Sequence, residues 1–331
     1  MNNLDAKLKF YKEEENYIRC TLCPHNCKLS EGKFGVCKLR TVNNGVPISI
    51  NYGEVTSANV DPIEKKPLYH FKPSQDILSL GSFGCNMTCS FCQNYEISQK
   101  RQPTEFIDIE RLISLIVDIP DNIGIAFTYN EPFMWYEYIL DAARKIKEYN
   151  DNISIVLVTN GYVNREPLLK ILPYVDAMNI DLKGYTNRYY NKICGANLDP
   201  VLETIKTASY YTHVEITTLM ITDENDSIDE IREIAKFIAS IDKNIPLHLS
   251  RYFPRYKMKN EPTLVENIIK AKEEANKYLN YVYVGNIAGV DNNTYCPNCG
   301  YNLITRDMYT TNIHIHGDKC PNCKEYINIV F

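Results

Sequence analysis

Three closely spaced cysteines, Cys85, Cys89 and Cys92, are the residues of this 331-residue chain whose spacing most directly indicates chemistry. Thiolates arranged as C-x3-C-x2-C suit a tight loop that ligates three irons of a [4Fe–4S] cubane, and the fourth iron is left without a protein ligand. An open iron can chelate a small molecule through an amine and a carboxylate and then pass it an electron. The sequence therefore predicts a catalytic iron–sulfur centre on these three residues.

Two sets of four cysteines on either side of this motif predict further metal sites. The C-terminal set forms two C-P-x-C knuckles, a pattern typical of a Zn²⁺ ribbon, with a rubredoxin-like iron site as the alternative. The N-terminal set, spaced x2, x3 and x9, suits Zn²⁺ or a second iron–sulfur cluster, and binding no metal is the third alternative. The C-terminal set is Cys296, Cys299, Cys320 and Cys323, and the N-terminal set is Cys20, Cys23, Cys27 and Cys37.

The remaining cysteine, Cys194, is expected to be an inert buried thiol. The sharper alternatives are a hydrogen-atom donor or an auxiliary metal ligand.

The composition indicates a globular protein, with 44% apolar and 23% charged residues. The net charge of −5 disfavours nucleic acid or an anionic membrane as a partner. The N-terminus has no signal-peptide pattern, and no apolar run approaches the roughly 18 residues of a membrane span. We therefore expect a cytoplasmic location, where disulfides are rare and cysteine sets hold metals.

Strand and helix patterns alternate from Ile77 onward, which predicts an α/β fold with a parallel sheet. Six such units suggest an incomplete (β/α)6 TIM barrel over residues 76–285. An N-terminal four-cysteine extension (1–75) precedes it, and a C-terminal zinc-ribbon-like domain (286–331) follows. In the extension we expect a short charged helix over residues 1–16 and a β-hairpin from Val46 to Val60.

Polar residues gather where the predicted strands end. Because active sites of such barrels lie at the carboxyl ends of the strands, these residues should surround one mouth. They suit a charged ligand with ammonium, carboxylate, ribose hydroxyl and adenine groups. The charged segment Asp61–His70, just before the first strand, is either a solvated loop or part of the substrate side. The strand-end residues are Thr128–Pro132, Thr159–Gly161, Asp181–Gly184, Glu215, Thr217, Thr218 and His248–Pro254.

The motif Cys85–Cys92, with the residues that follow it, resembles the radical S-adenosylmethionine (SAM) enzymes of the pyruvate formate-lyase-activating type. Over nearly all its length the chain is most similar to the radical enzyme of the AmmeMemoRadiSam system. The segments that carry this resemblance are the N-terminal C-x2-C-P-H-x-C, Asp61–His70, Thr128–Pro132 and the C-terminal knuckles.

The resemblance implies roles for individual residues. Phe91 matches the aromatic position beside the adenine, and Glu131 falls where a G-G-E motif holds the methionine amino group. Tyr129 and Asn130 stand in place of its two glycines. The other matching residues are Thr159, Asn160, Asp181 and Lys183, which line the ribose and methionine ends, and Arg251, which replaces an arginine that the activases carry at the position of Thr217.

Structural alternatives to these roles are equally concrete. Glu131 could cap a helix N-terminus because Pro132 suits the first helical turn. Asp181 and Lys183 could simply pair, and His248 could be a core histidine.

Three functions follow as hypotheses. The first is reductive cleavage of SAM to a 5′-deoxyadenosyl radical that abstracts hydrogen from a small molecule or a partner protein. It implies a flavodoxin- or ferredoxin-type electron donor, and Memo-like and AMMECR-like companion proteins. The second is activation of a glycyl-radical enzyme, and the third is a zinc-ribbon module that binds nucleic acid or protein.

Overall fold

One eight-stranded sheet forms the centre of the computed structural model, which describes residues 6–307 and 310–331. Seven strands are parallel, and each is hydrogen-bonded to the next in chain order. The eighth, Ser57–Pro62, runs antiparallel along the first of them. The parallel strands are Asp76–Gly81, Asn122–Phe127, Ser154–Thr159, Ala177–Asp181, His213–Met220, Leu247–Arg251 and Val282–Gly285.

Amphipathic helices follow the parallel strands. Asp108 caps one helix by accepting a hydrogen bond from Arg111 N, and Ser227 caps another by accepting from Glu230 N; such caps satisfy free N–H groups of a first turn. The α-helices are Tyr95–Gln99, Ile109–Asp118, Tyr136–Tyr149, Arg165–Ile171, Asn187–Tyr189, Asp199–Ala208, Ile228–Ile241 and Val265–Ala275. Short 3₁₀ turns cover Ile63–Lys65, Pro132–Trp135 and Leu172–Tyr174, and a π-helical turn covers Tyr190–Cys194.

Strand register brings the carboxyl ends of neighbouring strands together. Phe127 is aligned with Leu80 on one side and with Leu157 on the other, and all three side chains are buried. Strands covered on both faces read as continuous apolar runs, which is why sequence pattern locates them well. The predicted α/β fold with a mostly parallel sheet is confirmed; the incomplete six-unit barrel and the boundaries 1–75, 76–285 and 286–331 stay predictions.

Two predictions for the N-terminal extension are wrong. Residues 6–16 of the expected helix contain the strands Ala6–Lys7 and Tyr11–Glu14, while residues 1–5 lie outside the described part. Leu8 and Phe10 are buried while Lys7 and Lys9 are exposed, a period of two that belongs to extended chain.

The hairpin expected over Val46–Val60 is also wrong. Its turn exists, since Glu54 N donates to Asn51 O at 3.1 Å. However, Val46–Ser49 is the middle strand of a small sheet between Ala6–Lys7 and Arg40–Asn43. Both of its edges are therefore occupied, and Ser57–Pro62 pairs with the central sheet instead. The small strands Tyr17–Cys20, Lys28–Leu29, Glu54–Val55 and Glu105–Phe106 complete this region.

A buried carboxylate, Glu215, fixes the segment before the first parallel strand against the sheet. Its oxygens accept hydrogen bonds from the backbone N–H groups of Tyr69 and His70 at 3.0 and 2.7 Å. The imidazoles of His213 and His248 contact the same oxygens at 3.0 and 2.6 Å. Although burial opposes ionisation, these two histidines hold the pKa of Glu215 well below its usual range. His248 is thus a core histidine, and Glu215 has a structural role here.

The C-terminal residues form a three-stranded sheet that packs on the far side of this segment. Arg306 donates to Tyr69 O at 2.6 Å and to Thr294 Oγ1 at 2.7 Å, and His70 contacts Tyr283 Oη at 2.6 Å. Val330 N donates to His70 O at 2.8 Å. The strands of this sheet are Thr294–Tyr295, Asn302–Arg306 and Thr311–Ile313.

None of the helices in residues 6–307 and 310–331 has the length and apolar character needed to cross a membrane.

Candidate active site

The loop after the first parallel strand carries Cys85, Cys89 and Cys92, and two neighbours fix its path. Gly84 adopts φ +88°, and a Cβ there would lie 2.5 Å from the Leu39 side chain. On the other side, Thr88 N donates to Cys194 O at 2.8 Å, and Ser90 N donates to Ile193 O at 3.0 Å. The loop is thus clamped between the N-terminal extension and the π-helical turn.

A cavity of about 370 Å³ opens beside this loop at the carboxyl ends of the strands. It has the volume of a small-molecule site. The structure brings eleven of the sequence-predicted residues to its wall and leaves Arg251 outside. Those that line it are Cys85, Cys89, Phe91, Cys92, Tyr129, Asn130, Glu131, Thr159, Asn160, Asp181 and Lys183.

Glu131 is the most buried carboxylate on the cavity wall, with 2% of its surface exposed. It accepts hydrogen bonds from Thr159 Oγ1 at 2.7 Å, Asn160 N at 2.8 Å and Phe133 N at 3.0 Å. The last of these caps the turn Pro132–Trp135, so capping and a place on the cavity wall coexist. Burial raises the pKa of Glu131 to about 7 against these three hydrogen bonds. A cationic ligand group would favour the ionised form.

Tyr129 adopts φ +70° at a position where the resemblance expects glycine. Left-handed backbone costs a non-glycine residue about 1 kcal/mol, and contacts of the Tyr129 side chain offset it. Its hydroxyl donates to Asp61 Oδ2 at 2.8 Å, and the Lys66 ammonium lies 5.0 Å from its ring centre. The side chain of Asn130 instead accepts a hydrogen bond from Ser82 N at 3.0 Å, just before the cysteine loop.

Lys66 lines the cavity, although the sequence pattern alone did not indicate this residue. Its ammonium is nearly buried and pairs with Asp61 Oδ2 at 2.7 Å. Despite partial burial, hydrogen bonds from Lys66 and Tyr129 lower the pKa of Asp61 to about 2. The charged segment Asp61–His70 was the signal in the sequence for this part of the site. In the structure it contributes the Asp61–Lys66 ion pair and part of the cavity wall, so it is not a solvated loop.

Asp181 and Lys183 form an ion pair at 2.8 Å while both line the cavity. Lys183 also lies 5.8 Å from the ring centre of Phe91. The pairing considered as a structural alternative therefore exists together with a place at the site.

Arg251 does not replace the missing arginine of the fifth strand. Its Nε donates to Thr263 O at 2.8 Å, and its guanidinium lies over the Phe253 ring at 4.8 Å. Two other residues face the cavity instead: Ser250, which belongs to the predicted strand-end segment His248–Pro254, and Asn286, which sequence reasoning missed. Asn286 follows the seventh parallel strand, whose site contribution no motif indicated.

Cys194 is fully buried and does not line the cavity. Its backbone carbonyl accepts the hydrogen bond from Thr88 N, so Cys194 supports the cysteine loop from behind.

The C-terminal cysteines assemble as a set. Their four sulfurs lie within 4.8 Å of one another, with separations of 3.5 Å between Cys296 and Cys323 and 3.7 Å between Cys299 and Cys320. The N-terminal cysteines also converge, around a second and much smaller cavity next to the cysteine loop.

Comparison with known proteins identifies the family. Residues 80–238 match the Radical SAM superfamily. An uncharacterised protein of Methanocaldococcus jannaschii is 41% identical over 333 residues, which cover 97% of this chain and 98% of that protein. The chain belongs to the radical SAM superfamily.

More distant radical SAM proteins share parts of the chain. The pyruvate formate-lyase-activating enzyme of Clostridium pasteurianum is 26% identical over 170 residues, covering 48% of this chain and 69% of that enzyme. A solved radical SAM methyltransferase from Sphaerobacter thermophilus superposes with a TM-score of 0.52 at 16% identity, covering 65% of this chain and 67% of that one. The second likeness concerns the fold alone.

Membership of the radical SAM superfamily implies a [4Fe–4S] cluster and SAM, and the residues present fit both. Three free thiols open onto one cavity beside a buried carboxylate. Asn160 Nδ2 and Met87 N lie 3.6 and 3.4 Å from Cys85 Sγ, as donors to a metal-bound thiolate would. Hydrogen bonds of this kind tune the potential of a cluster.

Proposed function

We propose that this protein reductively cleaves SAM at a [4Fe–4S] cluster on Cys85, Cys89 and Cys92. The resulting 5′-deoxyadenosyl radical would abstract hydrogen from a small-molecule or protein substrate. The observation that carries the proposal is that these thiols and Glu131 share one cavity at the carboxyl ends of the parallel strands.

Each residue on the cavity wall has a task in this proposal. Glu131 accepts the methionine ammonium through a charge-assisted hydrogen bond, held in place by Thr159 and Asn160. Phe91 packs beside the adenine, with Asp181 and Lys183 toward the ribose and methionine ends. A cluster in a buried loop is shielded from water, which supports a low potential.

The test is product analysis after anaerobic reconstitution with iron and sulfide. Reduced wild-type protein with SAM is expected to release 5′-deoxyadenosine and methionine, measured by liquid chromatography and mass spectrometry. Cys89→Ala is expected to release neither. Wild-type protein that contains an intact cluster, binds SAM and yet forms no 5′-deoxyadenosine with or without candidate substrates would contradict the proposal.

Activation of a glycyl-radical enzyme is the second candidate, favoured by the likeness to the Clostridium pasteurianum activase. That likeness covers less than half of this chain. A glycyl radical signal in the electron paramagnetic resonance (EPR) spectrum of a co-incubated partner enzyme would favour this candidate.

Partners and compartment belong to the same proposal. We place the protein in the AmmeMemoRadiSam system, with Memo-like and AMMECR-like companions and a flavodoxin- or ferredoxin-type electron donor. The reducing cytoplasm would keep its many thiols free for metals. Co-purification of tagged protein with either companion from its native cells tests the assignment, and absence of both would argue against it.

For the C-terminal set we propose Zn²⁺. Zinc–sulfur bonds of about 2.3 Å place the sulfurs of a tetrahedron about 3.8 Å apart. The separations of 3.5 and 3.7 Å come close to that value. This site would stabilise the small C-terminal sheet from its edge.

A further inference from the structure

The four N-terminal cysteines surround a small enclosed cavity with mainly apolar walls. Cys20, Cys23 and Cys37 are buried, and Cys27 is partly buried. The cavity that they line has a volume of about 10 Å³.

Sulfur separations distinguish the three cysteine sets. Among the residues that the structure describes, the C-terminal set is the only group of three or more candidate ligands whose atoms all lie within 4.8 Å of one another. The three cysteines of the radical SAM motif are more widely spaced than this, as a cubane requires. No three of the N-terminal cysteines, all of which the structure describes, meet this limit either, and in this they differ from the zinc-sized C-terminal set.

An independent observation comes from Arg40, whose side chain lines the same cavity and is 1% exposed. Its Nη2 pairs with Glu137 at 2.5 Å, but its Nε and Nη1 are buried without a hydrogen-bond partner. Cys20 and Cys37 line the same cavity as this guanidinium. Unpartnered buried donors are costly, so these two nitrogens indicate an anionic group in the cavity.

We propose that Cys20, Cys23, Cys27 and Cys37 hold a second [4Fe–4S] cluster, with the buried guanidinium of Arg40 as its counter-charge. Four thiolates complete the ligation of all four irons, so this cluster has no open site for SAM. Its chemistry is therefore limited to carrying electrons.

One residue joins this centre to the SAM-binding loop. Asn86 directly follows Cys85 and is fully buried. His25 Nε2 contacts Asn86 O at 2.7 Å, so His25 belongs to this junction and not to the ligand set. Asn160 Nδ2 reaches Asn86 Oδ1 at 3.0 Å.

Given the proposed function, this proximity makes the second cluster a relay. A low-potential flavodoxin- or ferredoxin-type protein gives one electron to the second cluster. That cluster returns to its oxidised state as the electron moves to the cluster on Cys85, Cys89 and Cys92.

Metal analysis of the triple variant Cys85→Ala/Cys89→Ala/Cys92→Ala tests the second cluster without SAM chemistry. After anaerobic reconstitution it is expected to hold about four irons and four sulfides, against about eight of each in wild type. An EPR signal on reduction would accompany them. Triple variant that is folded by circular dichroism but contains no iron, or about two zinc ions per chain, would overturn the proposal.

The relay has its own test in Cys20→Ala/Cys37→Ala. We expect unchanged SAM affinity but at least tenfold slower reduction of the remaining cluster by reduced flavodoxin. Reduction at the wild-type rate would overturn the relay. Failure of SAM cleavage in wild type would instead affect only the proposed function, because the iron content of the triple variant does not depend on it.

The role of Arg40 is tested in the triple-variant background with Arg40→Met/Glu137→Gln, which removes both members of the ion pair. Because Arg40 lines the cavity and Glu137 does not, loss of the positive charge should outweigh loss of the carboxylate and shift the midpoint potential of the second cluster to a more negative value. An unchanged potential would contradict its role as counter-charge.

Discussion

Glu131→Gln is the substitution that most directly examines the proposed SAM site. The carboxylate accepts three hydrogen bonds that hold it on the cavity wall. Glutamine keeps the shape but cannot form a charge-assisted hydrogen bond to an ammonium group. Such a bond contributes about 1.5–3 kcal/mol, so the dissociation constant for SAM should rise by about 10- to 150-fold at pH 8.

The same residue predicts a pH dependence. Burial raises the pKa of Glu131 to about 7, so about one tenth of the free protein carries the carboxylate at pH 6 and about nine tenths at pH 8. Because only the ionised form attracts the ammonium, SAM should bind about tenfold more weakly at pH 6 than at pH 8. In Glu131→Gln this difference should vanish.

Calorimetry with anaerobically reconstituted protein measures both effects. Glu230→Gln is the matched control, since Glu230 is a partly buried glutamate that accepts from Tyr185 N at 2.6 Å and does not line the cavity. The reasoning is refuted if Glu131→Gln binds SAM within twofold of wild type, or if wild-type affinity is equal at pH 6 and pH 8.

Three further outcomes follow from the structure. Gly84→Ala should lower the free energy of unfolding by about 2–4 kcal/mol through left-handed backbone strain and overpacking. Gly32 also has a left-handed backbone, with φ +68°, but has open space around it, so Gly32→Ala should lower the free energy of unfolding by only about 1–2 kcal/mol. Urea titration measures both changes. Because the pKa of Asp61 is lowered to about 2, its ion pair should stabilise the fold above about pH 4 and lose that effect between pH 4 and pH 2. The melting temperature of Asp61→Asn should therefore fall less than that of wild type between pH 4 and pH 2. Chelation of the Zn²⁺ proposed for the C-terminal set, or Cys299→Ala, should expose the strands Thr294–Tyr295, Asn302–Arg306 and Thr311–Ile313 to limited proteolysis before the central sheet, and equal cleavage rates with and without metal would argue against a structural ion.

Sequence pattern predicted the central sheet well because its strands are buried on both faces and its helices are amphipathic. Motif spacing, together with the rule that strand ends converge, likewise predicted most of the cavity wall, including Glu131 and Asn160. These features depend on short stretches of chain, and such stretches carry their own signal.

What could not be predicted depends on distant partners. The strand Ser57–Pro62 became a sheet edge because Val46–Ser49 was already paired on both sides. Arg251 is the last residue of the sixth parallel strand, as predicted, yet Thr263 O and the Phe253 ring hold its side chain away from the cavity. The local sequence indicates neither the pairing of Val46–Ser49 nor the contacts of Arg251.

Glu215 has a consequence for how this protein emerges from the ribosome. The segment Pro67–Phe71 is translated early, but its binding place on Glu215 and His248 exists only once the fifth and sixth parallel strands have been made. Its backbone partner Val330 comes later still. Leu68 and Phe71 pack with Ile77, Ala126, Val156 and Ala177 of the first four parallel strands, so they stay exposed until those strands have been made, the kind of apolar surface that chaperones bind.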